Sequence, residues 1–409
     1  MKHVAQVLVL STLAAVSGAV AAPCATTGGA NAIDSGARGL GAGQWCQLAT
    51  NLEGGSGVEL YDFFHTCGGN DPWTLVYSVS GSWDSVNHRL WWVGTPHGGV
   101  EGMVRYEAAD NTWYAEDGAG YVAPLGTGIT CTPGAPWGNF AHTGYPGCSA
   151  NHAYDTMGSF DGRYFYYSQF QSNRIRRFDT VTHTWDNNWS TIPTNGGAHT
   201  GAVAYWPEDH SLIALSGDSY AAGNELWRYD FDTSSWSRFA ITTYNYHTSI
   251  EYHPRAGEIW YQDGQGSTKS WRIWLNGGTP TITALPAAAV GLGVTRTKCA
   301  ADPASSDAKF VCWVCPEDQT GTTNSGWYEY NMTTRTWTSF QGLGISSAPP
   351  LWNGGGCAGD NLLTVVPEYG VILYAVTARG GTDQGTYIYK HTASGAPTLP
   401  PTPQQLRAQ

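Results

Sequence analysis

Charge is scarce in this chain. Only 13% of its 409 residues are Asp, Glu, Lys or Arg, and 20 basic residues face 32 acidic ones, for a net charge of −12. A nucleic-acid partner needs clustered Lys and Arg. The closest set, Arg174, Arg176 and Arg177, reads as alternating strand positions beside Asp179. Helical periodicity is missing from every long stretch beyond the N-terminus, and the glycine-rich stretches do not lead into helices. That excludes the phosphate-cradling loops of nucleotide enzymes. No second CxxC and no His pair at ligand spacing accompanies Cys312-Trp313-Val314-Cys315. Within an apolar strand those two sulfurs face opposite sides, so the motif is read as neither a zinc nor a redox site. No metal and no cofactor are expected.

What is abundant is glycine, 52 residues, with 19 Trp and 23 Tyr. Many turns and many large aromatic rings suit short packed strands. The N-terminus is a processing signal: Met1-Lys2-His3 supplies positive charge, residues 4–20 are mostly apolar, and Ala19-Val20-Ala21 fits a cleavage site. Residues 1–22 are therefore expected to be a secretion signal, the mature protein to be extracellular or periplasmic, and no membrane contact to persist after cleavage. Nine cysteines, at 24, 46, 67, 131, 148, 299, 312, 315 and 357, then read as at most four disulfides. Cys131 with Cys148 is the preferred pair, and Cys46 with Cys67 the second.

A repeat organises the middle of the chain. His152, His199 and His247 recur at intervals of 47 and 48 residues, each ahead of an apolar run, a turn and a second apolar run. The later half of the unit is equally regular. Tyr106, Phe178, Tyr229 and Tyr330 each precede a Trp by seven residues, at Trp113, Trp185, Trp236 and Trp337. One unit supplies four strands in roughly fifty residues, the size of a propeller blade.

On these residues, the aromatic-x6-Trp pairing and the His ahead of each innermost strand, the chain resembles kelch and galactose-oxidase-type propellers over residues 40–392. The resemblance implies an all-β propeller of four-stranded antiparallel blades. Trp113, Trp185, Trp236, a position near Ile282, and Trp337 mark five outer strands. The last blade, with its third strand at Tyr387-Ile388-Tyr389, lacks a following Trp; Gln44-Trp45-Cys46-Gln47-Leu48 from the N-terminus has the character to close it. Six blades is the count, with seven as the alternative, because two intervals run about twenty residues long. Residues 393–409 are proline-rich, an extended linker, and Gln404-Gln405-Leu406-Arg407-Ala408 resembles the opening strand of a fibronectin type III module.

Function on such a fold resides in a site. Histidines ahead of three adjacent innermost strands converge on one mouth of the channel, with Tyr154, Tyr246, Trp92 and Trp206 as stacking or hydrogen-bonding partners. The expectation is a secreted propeller that binds or acts on extracellular glycan or polysaccharide there. In a lyase, His199, His247 and Tyr246 would supply base and acid and Arg163 would neutralise a uronate carboxylate, with His152, Tyr154, Trp206 and Trp92 binding substrate. A non-catalytic adhesion or protein-interaction module is the other reading. Tyr246-His247 looks like the copper-ligating pair of galactose oxidase. No cysteine begins an earlier innermost strand, however, so copper radical chemistry is not expected.

Overall fold

A computed structural model describes residues 21–51, 81–94, 102–116, 122–124, 157–160, 162–168, 173–193, 202–216, 224–242, 248–264, 266–293, 297–305, 307–315, 326–345, 361–376 and 385–392. Residues 1–20 of the expected secretion signal, the expected linker, and the segments carrying His152, Tyr154, His199, Tyr246, His247, Cys131 and Cys148 lie outside these residues.

The spacing of aromatic and Trp has a simple cause. Tyr106 and Trp113, Phe178 and Trp185, Tyr229 and Trp236, and Tyr330 and Trp337 stand directly opposite each other across the hairpin joining third and outer strands. Their ring centroids lie 5.3, 5.2, 5.1 and 4.8 Å apart. The turn between them is built by side-chain capping. Asp179 Oδ1 accepts the Val181 and Thr182 amides, Asp230 Oδ1 those of Asp232 and Thr233, and Asn331 Oδ1 that of Thr334. Two residues before each Trp the chain turns left-handed, at Asn111, His183, Ser234 and Arg335.

Six such units make six sheets. Their inner strands are Gly81–Asp84, Met157–Phe160, Val203–Trp206, Ser249–His253, Thr297–Ala301 and Asn361–Val366, in blades 1 to 6. Each inner strand packs beside the next, and the sixth returns to the first, where Thr364 Oγ1 donates to the Gly81 carbonyl at 2.9 Å. The ring is closed at six; the seven-bladed alternative is set aside. The position near Ile282 falls in the outer strand of blade 4, Thr279–Ala284, with Ile282 opposite Ile273.

Closure uses the N-terminal strand. Gln44–Leu48 pairs antiparallel with Gly385–Lys390, the third strand of blade 6, and Ala22–Pro23 adds a fifth, parallel strand. Between them runs a helix, Ala32–Gly39, whose first turn is capped by Asn31 Oδ1 on the Asp34 amide. Cys24 is bonded to Cys46, so the expected Cys46–Cys67 pair is corrected. The parallel pairing of Ala22 with Cys46 brings residue 24 to that strand, a contact that sequence spacing does not reveal.

The core lies between blades, where alternating residues of facing sheets interdigitate. Leu90, Trp92, Val104 and Trp113 of blade 1 pack with Leu362, Leu373 and Ile388 of blade 6. Val311, Trp313 and Trp327 of blade 5 meet Ile372, Tyr374 and Tyr389 on the other side of blade 6. Each enclosed Trp removes on the order of 200 Å² from water, an upper estimate of about 5 kcal/mol. Alternation also settles the CxxC. Cys312 faces blade 4 and is bonded to Cys299 across the hairpin, whereas Cys315 faces blade 6 and is held in a separate disulfide.

Candidate functional site

Every inner strand has a leading end, where the chain enters it, and a trailing end, where it turns into the second strand. His152, His199 and His247 precede in sequence the strands Met157–Phe160, Val203–Trp206 and Ser249–His253, whose leading ends are described. Second strands run antiparallel and therefore finish there as well. Blade 4 shows what this end contains. Ser249 stands opposite Gln262, and Gln262 opposite Ser270. Thr248, Ser249, Gln262, Asp263, Ser270 and, from blade 5, Thr297 are all buried. Asp263 Oδ1 accepts the Gly264 amide, and the Leu292 carbonyl accepts that of Gly266 as residues 285–293 fold over the loop.

Part of this polar set lacks hydrogen bonds. Both amide atoms of Gln262, Thr248 Oγ1, and Ser168 Oγ at the end of the second strand of blade 2 are enclosed without a partner. An enclosed polar group in that state costs about 1–3 kcal/mol. Hydroxyls and an amide, all uncharged, are the groups found where sugar hydroxyls are recognised. Among the described leading-end residues Lys298, second in its inner strand, is an almost enclosed cation, with Nζ 6.0 Å from the centroid of Trp313, whereas Lys269, just before Ser270, is exposed.

The described residues singled out from sequence are elsewhere. Arg163 sits in the turn at the trailing end, its guanidinium 2.9 Å from Asp179 and 5.0 Å from the Tyr164 ring. Trp206 is fully enclosed, Nε1 donating to the Gly257 carbonyl at 3.0 Å. Trp92 is also fully enclosed and packs against Trp113. Neither ring reaches a surface, because each plugs the seam to the neighbouring blade. Arg174 and Arg177 bond to Asn188 and Asp186 of the outer strand of their blade, while Arg176 is buried.

The trailing end carries groups that the repeat pattern did not flag. Two turns share the sequence Pro-Glu, Pro207-Glu208 and Pro367-Glu368, and each glutamate reaches the inner strand of the next blade. Tyr252 Oη donates to Glu208 at 2.8 Å, and Trp83 Nε1 to Glu368 at 2.7 Å. Burial pushes the Glu208 carboxyl up despite the Tyr252 hydrogen bond. His253 Nδ1 accepts the Ala256 amide at 3.1 Å, and burial lowers its pKa to about 4, so the ring is neutral. Between blades 5 and 6, Glu329 Oε2 accepts from His391 Nε2 at 2.7 Å and from Lys309 Nζ at 3.0 Å. Burial alone would raise the Glu329 carboxyl, but these two donors hold it below its ordinary value. The signal for the Glu208 and Glu368 clasps was present in sequence as the Pro-Glu repeat after an inner strand. Among the described residues no three His, Cys, Asp or Glu side chains are grouped to hold a metal ion.

No family model matches the chain, and no curated protein matches it in sequence. Similar folds occur among solved structures. A calcium-binding protein, regucalcin, from Agrobacterium tumefaciens is 11% identical with a TM-score of 0.46, covering 80% of this chain and 96% of its own. An auxiliary nutrient binding protein from Bacteroides thetaiotaomicron is 13% identical, TM-score 0.47, covering 78% and 71%. A gluconolactonase from Xanthomonas campestris is 10% identical, TM-score 0.43, covering 77% and 86%.

Proposed function

We propose that this propeller is exported and binds or acts on extracellular carbohydrate at the leading end of its inner strands, beside His152, His199 and His247, with Tyr154 and Tyr246. The supporting observation is the uncharged, buried hydrogen-bonding set next to residue 247: Thr248 and Gln262 keep donors and acceptors that the fold does not use. Disulfides between Cys24 and Cys46 and between Cys299 and Cys312 suit an oxidising compartment, extracellular or periplasmic. Solved propellers of like fold include nutrient-binding proteins and a gluconolactonase, which is compatible with a carbohydrate role. Kelch-like kinship belongs to the same reading, supported by the aromatic-Trp pair in four blades.

The catalytic version is a polysaccharide lyase, with His199, His247 and Tyr246 exchanging the proton beside a uronate carboxyl group. Arg163 lies at the other end of its strand in an ion pair with Asp179. Lys298 is an almost enclosed cation on the leading side and is the better placed of the two to neutralise that carboxylate. Uronate-containing polysaccharides incubated with the protein would develop the ultraviolet absorbance of an unsaturated product if it is a lyase. Binding without that absorbance makes it a carbohydrate-binding module. Full retention of binding or activity in both His199→Ala and His247→Ala contradicts the site; loss in either, with the fold intact, supports it.

A further inference from the structure

A second place on the molecule has the makings of a ligand site. It is an open cleft of about 470 Å³ between blade 5 and the strand that closes blade 6. Gly43, Gln44, Leu343 and Ile345 form its more exposed rim. Glu329, His391 and Thr392 make the floor. Third strands run parallel to inner strands, so His391, which follows Gly385–Lys390, marks the trailing end, away from the proposed carbohydrate mouth.

The floor is pre-arranged. Tyr389 Oη donates to His391 Nδ1 at 2.8 Å, because a tyrosine whose pKa burial raises keeps its proton. His391 Nε2 therefore carries the ring hydrogen and gives it to Glu329 Oε2, which Lys309 also reaches. All the hydrogen bonds of Glu329 fall on Oε2. Its Oε1 takes none within the fold, although the residue is only 8% exposed and lines the cleft. Thr392 is occupied with Asp302 at 3.0 Å. Lys309 balances the charge of Glu329, so the open acceptor suits an uncharged donor better than a cation. Leu343, which also lines the cleft, is 38% exposed, one of three large apolar side chains in that state among the described residues.

We infer that this cleft is a second binding site, taking one neutral pyranose unit whose apolar ring face lies on Leu343 and Ile345 while a hydroxyl donates to Glu329 Oε1. The inference does not depend on the proposed mouth site, since no residue is shared.

The test titrates the full chain with methyl β-D-glucopyranoside and methyl α-D-mannopyranoside, reading the His391 ring signals by NMR. His391 touches Glu329 directly, so occupation of Oε1 must shift its ring resonances. At least one glycoside should shift them saturably. Leu343→Asp, an exposed rim change that leaves the core alone, should weaken that response about tenfold or more, and Glu329→Gln should abolish it. His247→Ala should leave it untouched. No saturable shift with either glycoside at about 100 mM, or an unchanged response in Leu343→Asp, overturns the inference.

Discussion

His253 makes the stability of the fold depend on pH in a way that one substitution can isolate. It ends the inner strand of blade 4, is fully enclosed, and packs edge-on against Phe310 at 5.4 Å. Nδ1 is an acceptor for the Ala256 amide, so the folded protein holds the ring neutral, with burial lowering its pKa from 6.5 to about 4. The sign follows from proton binding. Above pH 6.5 neither folded nor unfolded chain protonates this ring. Between pH 6.5 and 4 the unfolded chain binds a proton that the folded chain refuses, so stability falls as pH drops. At about 1.4 kcal/mol per pH unit, that removes about 3 kcal/mol by pH 4. His253→Asn deletes the titration and keeps an acceptor for the turn. Acidic residues already do this in blades 1 and 5, where Asp84 caps Val86 and Asp302 caps Ala304. Urea unfolding of both proteins at pH 7, 5.5 and 4 is the assay. The carboxylates titrate alike in both, so the difference isolates His253. Wild type should lose about 3 kcal/mol more than the variant over this range. Equal losses would refute the claim that a buried neutral histidine sits at this turn.

The Cys24–Cys46 bridge holds the segment that closes the ring. Cys46→Ser should cost about 3 kcal/mol, measured by denaturation without reductant, and a non-reducing peptide map of wild type should show Cys24 joined to Cys46. Glu208 has the opposite pH signature to His253. Its folded pKa is raised by burial, so its contribution is fully present below about pH 4.5 and is lost as pH rises through the raised value. Glu208→Gln should therefore gain thermal stability relative to wild type at pH 8 compared with pH 5. A gain at pH 5 that vanishes at pH 8 would contradict this.

Much of the framework was legible because blade geometry writes itself into spacing. A cross-strand pair over a capped turn forces the seven-residue interval between Phe178 and Trp185, and the orphaned last blade pointed to Gln44–Leu48 as its closing strand. The helix Ala32–Gly39 was missed because it is only two turns long and its stability comes from packing on blade 6; its trace in sequence was Asn31 followed by Asp34. Disulfide partners were not legible, since Cys24 reaches Cys46 through a parallel pairing far from any repeat. For the site, tryptophans outside the aromatic pairing, Trp92 and Trp206, looked free for ligand. They instead fill seams between blades, which in a propeller demand as many rings as the pairing itself. The acid clusters at the trailing end escaped notice because glutamate beside proline in a turn is ordinary composition. What gives Glu208 and Glu368 their character is the next blade's Tyr252 and Trp83, contacts made only by the fold.

The proposed carbohydrate site lies at the leading end of the inner strands. Hydrogen exchange of the intact protein, with and without a polysaccharide that it binds, reads this directly. Slowed exchange is expected in peptides covering residues 152–158, 199–204 and 246–250. Protection confined to the opposite turns at 207–210, 254–257 and 367–370, with none at the leading ends, would contradict it.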